Sequence, residues 1–437
     1  MARRNLSGIG SVLLLSLLLL SYQNCVKSEM QPVQDLKVIA DCEGPECEPE
    51  PPPCLTADDC EPPPIADVKA AIKKSVEKNL LNDCFANTGF NACVFWKNPV
   101  AQRGSAYGTP VNAGSNLSAD QVHAVKLEGY DDSGLLKNSS FLVRALTPAG
   151  RLESLSTTSK QFKYNFGNDA LHRAGQVMAF YWLTLQEKYM SVVTGAFFAA
   201  KKGISVISFV ANFENAYWDS DLQEVVIGSS ASGNEFALSA EVYAHEMGHG
   251  NISYATNLKI EETVGAFESI SCANNQAVCC KTANGCSWAI NEGQADYHAA
   301  ILFPTNTNML ETFFNSQAGL SECGLPRGID ANKNLTAVQA YDACPAGPPS
   351  VKGEVHVTGR IYASVWWEVR KAAEAAEPGK GADEVDVLFT NHLVALEGRD
   401  TFITAFDKIE AVDLALYKSK YTQKFKDEFI KRGLAVQ

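Results

Sequence analysis

The sequence predicts an α+β protein, and three stretches carry that reading. From about Asp169 to Val193, "DALHRAGQVMAFYWLTLQEKYMSVV" repeats apolar residues at helical spacing. An apolar, β-branched run follows in "GISVISFVANF", the composition of a buried strand. Ahead of both, a Gly, Asn and Ser-rich region running to about Gln161 reads as strand-bearing. A chain of 437 residues that is 46% hydrophobic can bury a sizeable core and is expected to form two or three compact units. It contains no internal repeat.

Taken in order, residues 1–24 read as an export signal. Arg3 and Arg4 precede an apolar run from Ile9 to Leu20 that is short for a membrane span. The segment Ser21-Tyr22-Gln23-Asn24-Cys25 resembles a bacterial lipobox, although Tyr22 and Asn24 depart from the usual residues, and it implies lipidation of Cys25. The cysteine count agrees: thirteen is odd, and removing Cys25 leaves twelve, enough for six disulfides in an oxidising compartment. Those twelve fall in local groups: Cys42, Cys47, Cys54 and Cys60; Cys84 and Cys93; Cys272, Cys279, Cys280 and Cys286; Cys323 and Cys344. The absence of any CxxC pair argues against a structural zinc knuckle.

Residues 25–64 hold nine of the eighteen prolines and carry a charge of −8, the composition of a stiff, solvated tether. With +2 from Arg3 and Arg4 in the leader, the chain's net charge of −13 leaves only −7 for the 373 residues that follow. No basic run offers a surface for nucleic acid or for an anionic membrane face, so small molecules, peptides and proteins remain as partners. From Ile65 the composition turns globular, and "ADVKAAIKKSVEKNLL" spaces its apolar residues as a helix does.

Chemistry concentrates later, beginning with "AHEMGHG" at Ala244 to Gly250. Histidines at i and i+4 share one helical face, so His245 and His249 can reach one Zn²⁺, and Glu246 can contact a metal-bound water. HExxH is short enough to arise on an ordinary helix, so a third ligand has to be found. The metzincin continuation fails, because Ile252 and Ala255 stand where Gly and His would be. Candidates are Glu261, Glu262, Glu268 and Glu292. Glu268 sits at the interval used by zinc aminopeptidases but lacks a neighbouring Asn-Glu pair. Glu292, in "NEGQAD", has that pair, and Asp296 follows one helical turn later, where it could accept a hydrogen bond from a zinc-bound imidazole. The remaining histidines, His123, His172, His298 and His392, have no partner pattern and read as structural.

Four ordered motifs resemble the thermolysin-like gluzincin metalloproteases, with fungalysin the nearest in flavour. They are "NAYWD" at Asn215 to Asp219, "AHEMGHG", "NEGQAD" and "EVHVTGRIYASVWWEV", and the likeness covers about residues 168–370. The resemblance implies an α+β, two-lobed fold. A mixed-sheet lobe carrying the HExxH helix (65–250) would face a mainly helical C-terminal lobe (251–437) across the active-site cleft. It also implies His245, His249 and Glu292 as ligands of one zinc, Glu246 as general base, Asp296 as support for a ligand, and His356 as transition-state stabiliser. Asn215 and Ala216 would hold an extended polypeptide substrate at a sheet edge. There are departures. Ile260 replaces the tyrosine that the family's type member carries eleven residues after its second zinc histidine. Four cysteines lie between His249 and Glu292, and no convincing calcium ligands or long propeptide can be found.

The expected activity is zinc-dependent endopeptidase hydrolysis. The alternatives are an aminopeptidase, which would need a carboxylate to capture the substrate's amino terminus, and a surface-binding lipoprotein that uses zinc only structurally. Glu246 argues against the last, since a structural zinc needs no base. A leader ending at Cys25, followed by Val26 rather than Asp, suggests an outer-membrane lipoprotein of a Gram-negative bacterium, with conventional secretion as the alternative. Oligomeric state and cleavage preference leave no trace in the sequence.

Overall fold

The computed structural model describes residues 84–86, 89–95, 122–146, 152–164, 171–199, 202–210, 213, 215–229, 236–255, 283–302, 328–330, 333–342, 355–397 and 400–434. The leader, Cys25, the tether, the helix expected from Ile65, Ile260, Glu261, Glu262, Glu268 and Cys272, Cys279, Cys280, Cys323 and Cys344 lie outside the described residues.

The first half builds a mixed sheet. Strands β1 (Ala92–Phe95) and β2 (Val122–Val125) form an antiparallel pair. A Cys84–Cys93 disulfide ties the segment before β1 to that strand. The main sheet has the order β4-β3-β5-β7-β6, from β3 (Phe141–Leu146), β4 (Leu152–Glu153), β5 (Ile204–Val210), β6 (Ala216–Asp219) and β7 (Glu224–Gly228). Strands β3, β5 and β7 run parallel, flanked by antiparallel β4 and β6. In β5 the alternation Ile204, Val206 inward against Ser205, Ile207 half-exposed is the period-two pattern of a strand with one face on a core.

That core is α1, Leu171–Tyr189, which continues as a π-helical turn over Met190–Thr194. It is somewhat shorter as an α-helix than its periodicity predicts. Most of its faces are buried, because it packs at once on β1, β3, β5 and the next helix. Trp182 Nε1 donates to Phe95 O at 3.2 Å, fixing α1 to the small β1–β2 sheet.

The central helix α2, Ala240–Ala255, buries twelve of its sixteen residues between α1, β6, β7 and α3 (Ala283–Leu302). Beyond α3 the described chain is helical: α4 (Ala337–Asp342), α5 (Val355–Ala376), α6 (Gly381–Ala395), α7 (Phe402–Tyr417) and α8 (Thr422–Lys431). The expected division into a sheet-bearing part and a helical C-terminal part is met. No described helix is long and apolar enough to cross a membrane.

Two glycine contacts decide how close these helices come. A Cβ at Gly248 would lie 3.0 Å from Ala295 Cα and 3.0 Å from His298 Cβ, so α2 touches α3 nearly backbone to backbone. At the α3–α5 contact, a Cβ on Gly293 would meet Gly359 O at 2.4 Å, and one on Gly359 would meet Glu292 Cβ at 2.8 Å. Only residues without a Cβ permit that approach.

Candidate metal centre

The packing of α2, α3 and α5 delivers three donor atoms to one point. His245 Nε2 and His249 Nε2 are 3.1 Å apart, one turn along α2. Glu292, on the face of α3 that Gly248 and Gly359 allow to approach, brings Oε2 to 3.4 Å from His245 Nε2 and Oε1 to 3.6 Å from His249 Nε2. These three residues are the cluster among the described residues that could hold a metal ion.

Supporting groups fix which nitrogen each ring presents. Asp296 Oδ1 lies 2.9 Å from His245 Nδ1, and Asn291 Oδ1 lies 2.6 Å from His249 Nδ1. Both acceptors call for a proton on Nδ1, which leaves a lone pair on each Nε2. Two nitrogen lone pairs 3.1 Å apart and facing a carboxylate repel unless a cation stands among them. The spacing suits one: donors about 2.0–2.2 Å from a tetrahedral zinc are separated by about 3.3–3.5 Å. The residues present therefore fit zinc.

Protonation agrees with this. Burial, with the neighbouring His245, pushes the His249 imidazole down to about 4 despite the opposing pull of Glu292. Burial opposes ionisation of Glu292, but the rings of His356, His249 and His245 outweigh it and hold the carboxyl well below its usual range. A neutral imidazole and an ionised carboxylate are the forms a metal requires.

Glu246 is 5% exposed, next to His245 on α2. His356, near the start of α5, places Nε2 3.4 Å from Glu292 Oε1 with a side chain 26% exposed, so it reaches the donor set and still meets solvent. Asn215 and Ala216 stand at β6, the outermost of the described strands on that side of the sheet. Asn215 O accepts from Gly228 N on β7, so by strand alternation the Ala216 N–H points away from the sheet, where it donates to Asn215 Oδ1 at 2.9 Å. The edge is tied to α2 by Trp218, whose ring lies 3.1 Å from where a Gly250 Cβ would stand.

One supporting residue escaped sequence reasoning: Asn291, which orients His249. Its signal was the Asn of the Asn-Glu pair that recommended Glu292. The histidines read as structural are accounted for in two cases. His298 joins Asn251 Nδ2 (2.9 Å) and Gln294 O (2.9 Å), and His392 Nε2 meets the Tyr362 hydroxyl at 2.5 Å.

No curated protein matches the sequence. Among solved structures the chain is similar to the precursor of protealysin, a metalloproteinase from Serratia proteamaculans, at 14% identity and a TM-score of 0.41, over 68% of this chain and 87% of that one. A family model described as "Thermolysin metallopeptidase, catalytic domain" matches residues 119–253. Over that stretch, which contains His245, Glu246 and His249 and ends before Glu292, the chain is similar to the thermolysin metallopeptidases.

Proposed function

We propose that the protein is a zinc-dependent metalloendopeptidase. The observation that carries this reading is the convergence of two Nε2 atoms and the Glu292 carboxylate, with the buried Glu246 beside them. His245, His249 and Glu292 would hold the ion. When bound, zinc supplies Lewis acidity and lowers the pKa of its water towards about 7. Glu246 accepts a proton from the attacking water and returns it to the leaving nitrogen, which a carboxylate shielded from bulk solvent does well. His356 donates to the developing oxyanion, and Asp296 and Asn291 keep both rings in the required tautomer. The outer edge of β6 receives an extended peptide as an added strand, with the Asn215 side chain yielding the Ala216 N–H to it.

The test is hydrolysis of unfolded casein by the soluble protein, with and without a zinc chelator, beside Glu246→Gln. The parent is expected to cleave internal bonds only with zinc. The variant should retain the metal and lose activity by about 10²–10⁴-fold, the usual worth of a general base. Equal turnover by parent and variant would remove Glu246 from the mechanism, and release of single amino-terminal residues would replace endopeptidase with aminopeptidase action.

Anchoring at Cys25 in an outer membrane is part of the same proposal, supported by the leader, the odd cysteine count and the acidic tether. Fractionation of a Gram-negative host expressing the full chain or Cys25→Ala should find only the former in the detergent-extracted membrane. Equal solubility of the two would leave a conventionally secreted enzyme.

A further inference from the structure

A fully buried carboxylate gathers groups from three other helices. Asp386 of α6 is 0% exposed. Its Oδ1 accepts from Tyr297 OH at 2.6 Å, and its Oδ2 from Tyr189 OH at 2.6 Å. Arg370 of α5 donates from Nε at 2.9 Å and from Nη2 at 3.0 Å, a forked charge-assisted pair. Burial and the charge of Asp386 raise both tyrosine hydroxyls well above their usual range, so they remain donors.

What distinguishes this cluster from ordinary core polarity is where its arms end. Tyr297 follows Asp296 directly on α3 and lies five residues beyond Glu292. Tyr189 is the last residue of α1's α-helical part, and the π-turn that follows packs on α6. One turn earlier, Gln186 Nε2 donates to Ala244 O at 3.0 Å, the carbonyl just before His245 on α2. An unbroken path therefore runs from the histidine pair through Gln186, Tyr189, Asp386 and Tyr297 to the glutamate ligand. It joins the two halves of the donor set by way of α1 and α6, in addition to the direct α2–α3 contacts at Gly248 and between Asn251 and His298.

We propose that Asp386 is a positioning residue for the metal centre: by clasping Tyr189 and Tyr297 to one carboxylate, it fixes α3 relative to α1 and α2 and so sets the separation of Glu292 from His245 and His249. The inference rests on the reading of those three residues as ligands, but not on peptidase activity.

Asp386→Asn leaves Arg370 buried without its counter-charge and can fail to fold, so the arms are cut singly. The test loads the metal-free full chain with Co²⁺ and measures its affinity and visible spectrum, alongside the melting temperature, for the parent, Tyr189→Phe, Tyr297→Phe and the double variant. Tyr362→Phe, which removes a hydroxyl bonded to His392 in the same helical region, is the matched control. Each clasp variant is expected to lose about tenfold in Co²⁺ affinity with an altered spectrum, in the range seen when groups supporting a ligand are removed. The double variant should lose less than the product of the singles, because both arms share one carboxylate. The control should melt earlier and bind Co²⁺ as the parent does. Parent-like affinity and spectrum in both clasp variants, whatever their melting temperatures, would overturn the proposal, as would an equal loss in the control. Failure of the peptidase reading would look different: a parent that binds metal tightly and cleaves nothing.

Discussion

The two sides of the candidate metal centre are built on different principles. On the side of α2, His245, Glu246 and His249 are neighbours in sequence, and one turn of helix is enough to set their relation. Across from them, Glu292 and His356 belong to different helices, separated by 43 and 107 residues from His249 in the chain. Their place depends on α3 and α5 meeting at Gly293 and Gly359. The family match follows the same line, covering the local half and stopping at residue 253. A site can thus be half motif and half packing, and the two halves should fail in different ways.

The largest expected effect tests the distant half at Glu292. Glu292→Ala should reduce zinc affinity by more than the about 10–100-fold typical of losing a supporting partner, while Glu268→Ala leaves it largely intact. Metal titration compares the two, and loss of zinc from the Glu268 variant alone would exchange the ligands and favour the aminopeptidase arrangement.

Acid should also weaken the fold through its buried histidines. His298 on α3 and His392 on α6 are held neutral by burial, pushed down to about 4 and about 3. An unfolded histidine titrates near 6.5, so between about 6.5 and 4 the unfolded chain binds protons that the fold excludes. With His249, pushed down to about 4 in the same way, their contribution is complete above that window and is lost as pH falls through it, by up to about 4 kcal/mol per pH unit for three protons. Urea midpoints of metal-free protein should fall across this range. A flat midpoint would mean that these rings are charged in the fold.

Gly359→Ala attacks the packing without touching a donor. The added methyl would stand 2.6 Å from Ala289 O and 2.8 Å from Glu292 Cβ, so α5 has to move off α3. Overpacking of this kind costs about 1–3 kcal/mol, and zinc affinity should fall while the spacing of the α2 histidines is kept. A variant with parental zinc affinity would show that the α3–α5 approach does not govern Glu292.

Asn291→Ala is the mildest change. It removes the acceptor 2.6 Å from His249 Nδ1, and a drop of about tenfold in zinc affinity is expected, with Asn291→Asp restoring most of it. Unchanged affinity in the alanine variant would mean that the ring needs no orienting partner.

By itself the sequence determined whatever depends on short spacing: the helix that presents His245 and His249, the Asn-Glu pair and Asp296 one turn apart on α3, the strand in "GISVISFVANF", and the α+β class. These follow from helical and strand periodicities, which act over a few residues. Only the tertiary structure decided the rest. It joined Cys84 to Cys93, seated Asn291 on His249, and tied Tyr189, Tyr297 and Arg370 to Asp386. Each of these relations joins side chains from different elements. Their meeting depends on how closely whole helices can approach, which at this site is set by three glycines whose role no local pattern announces.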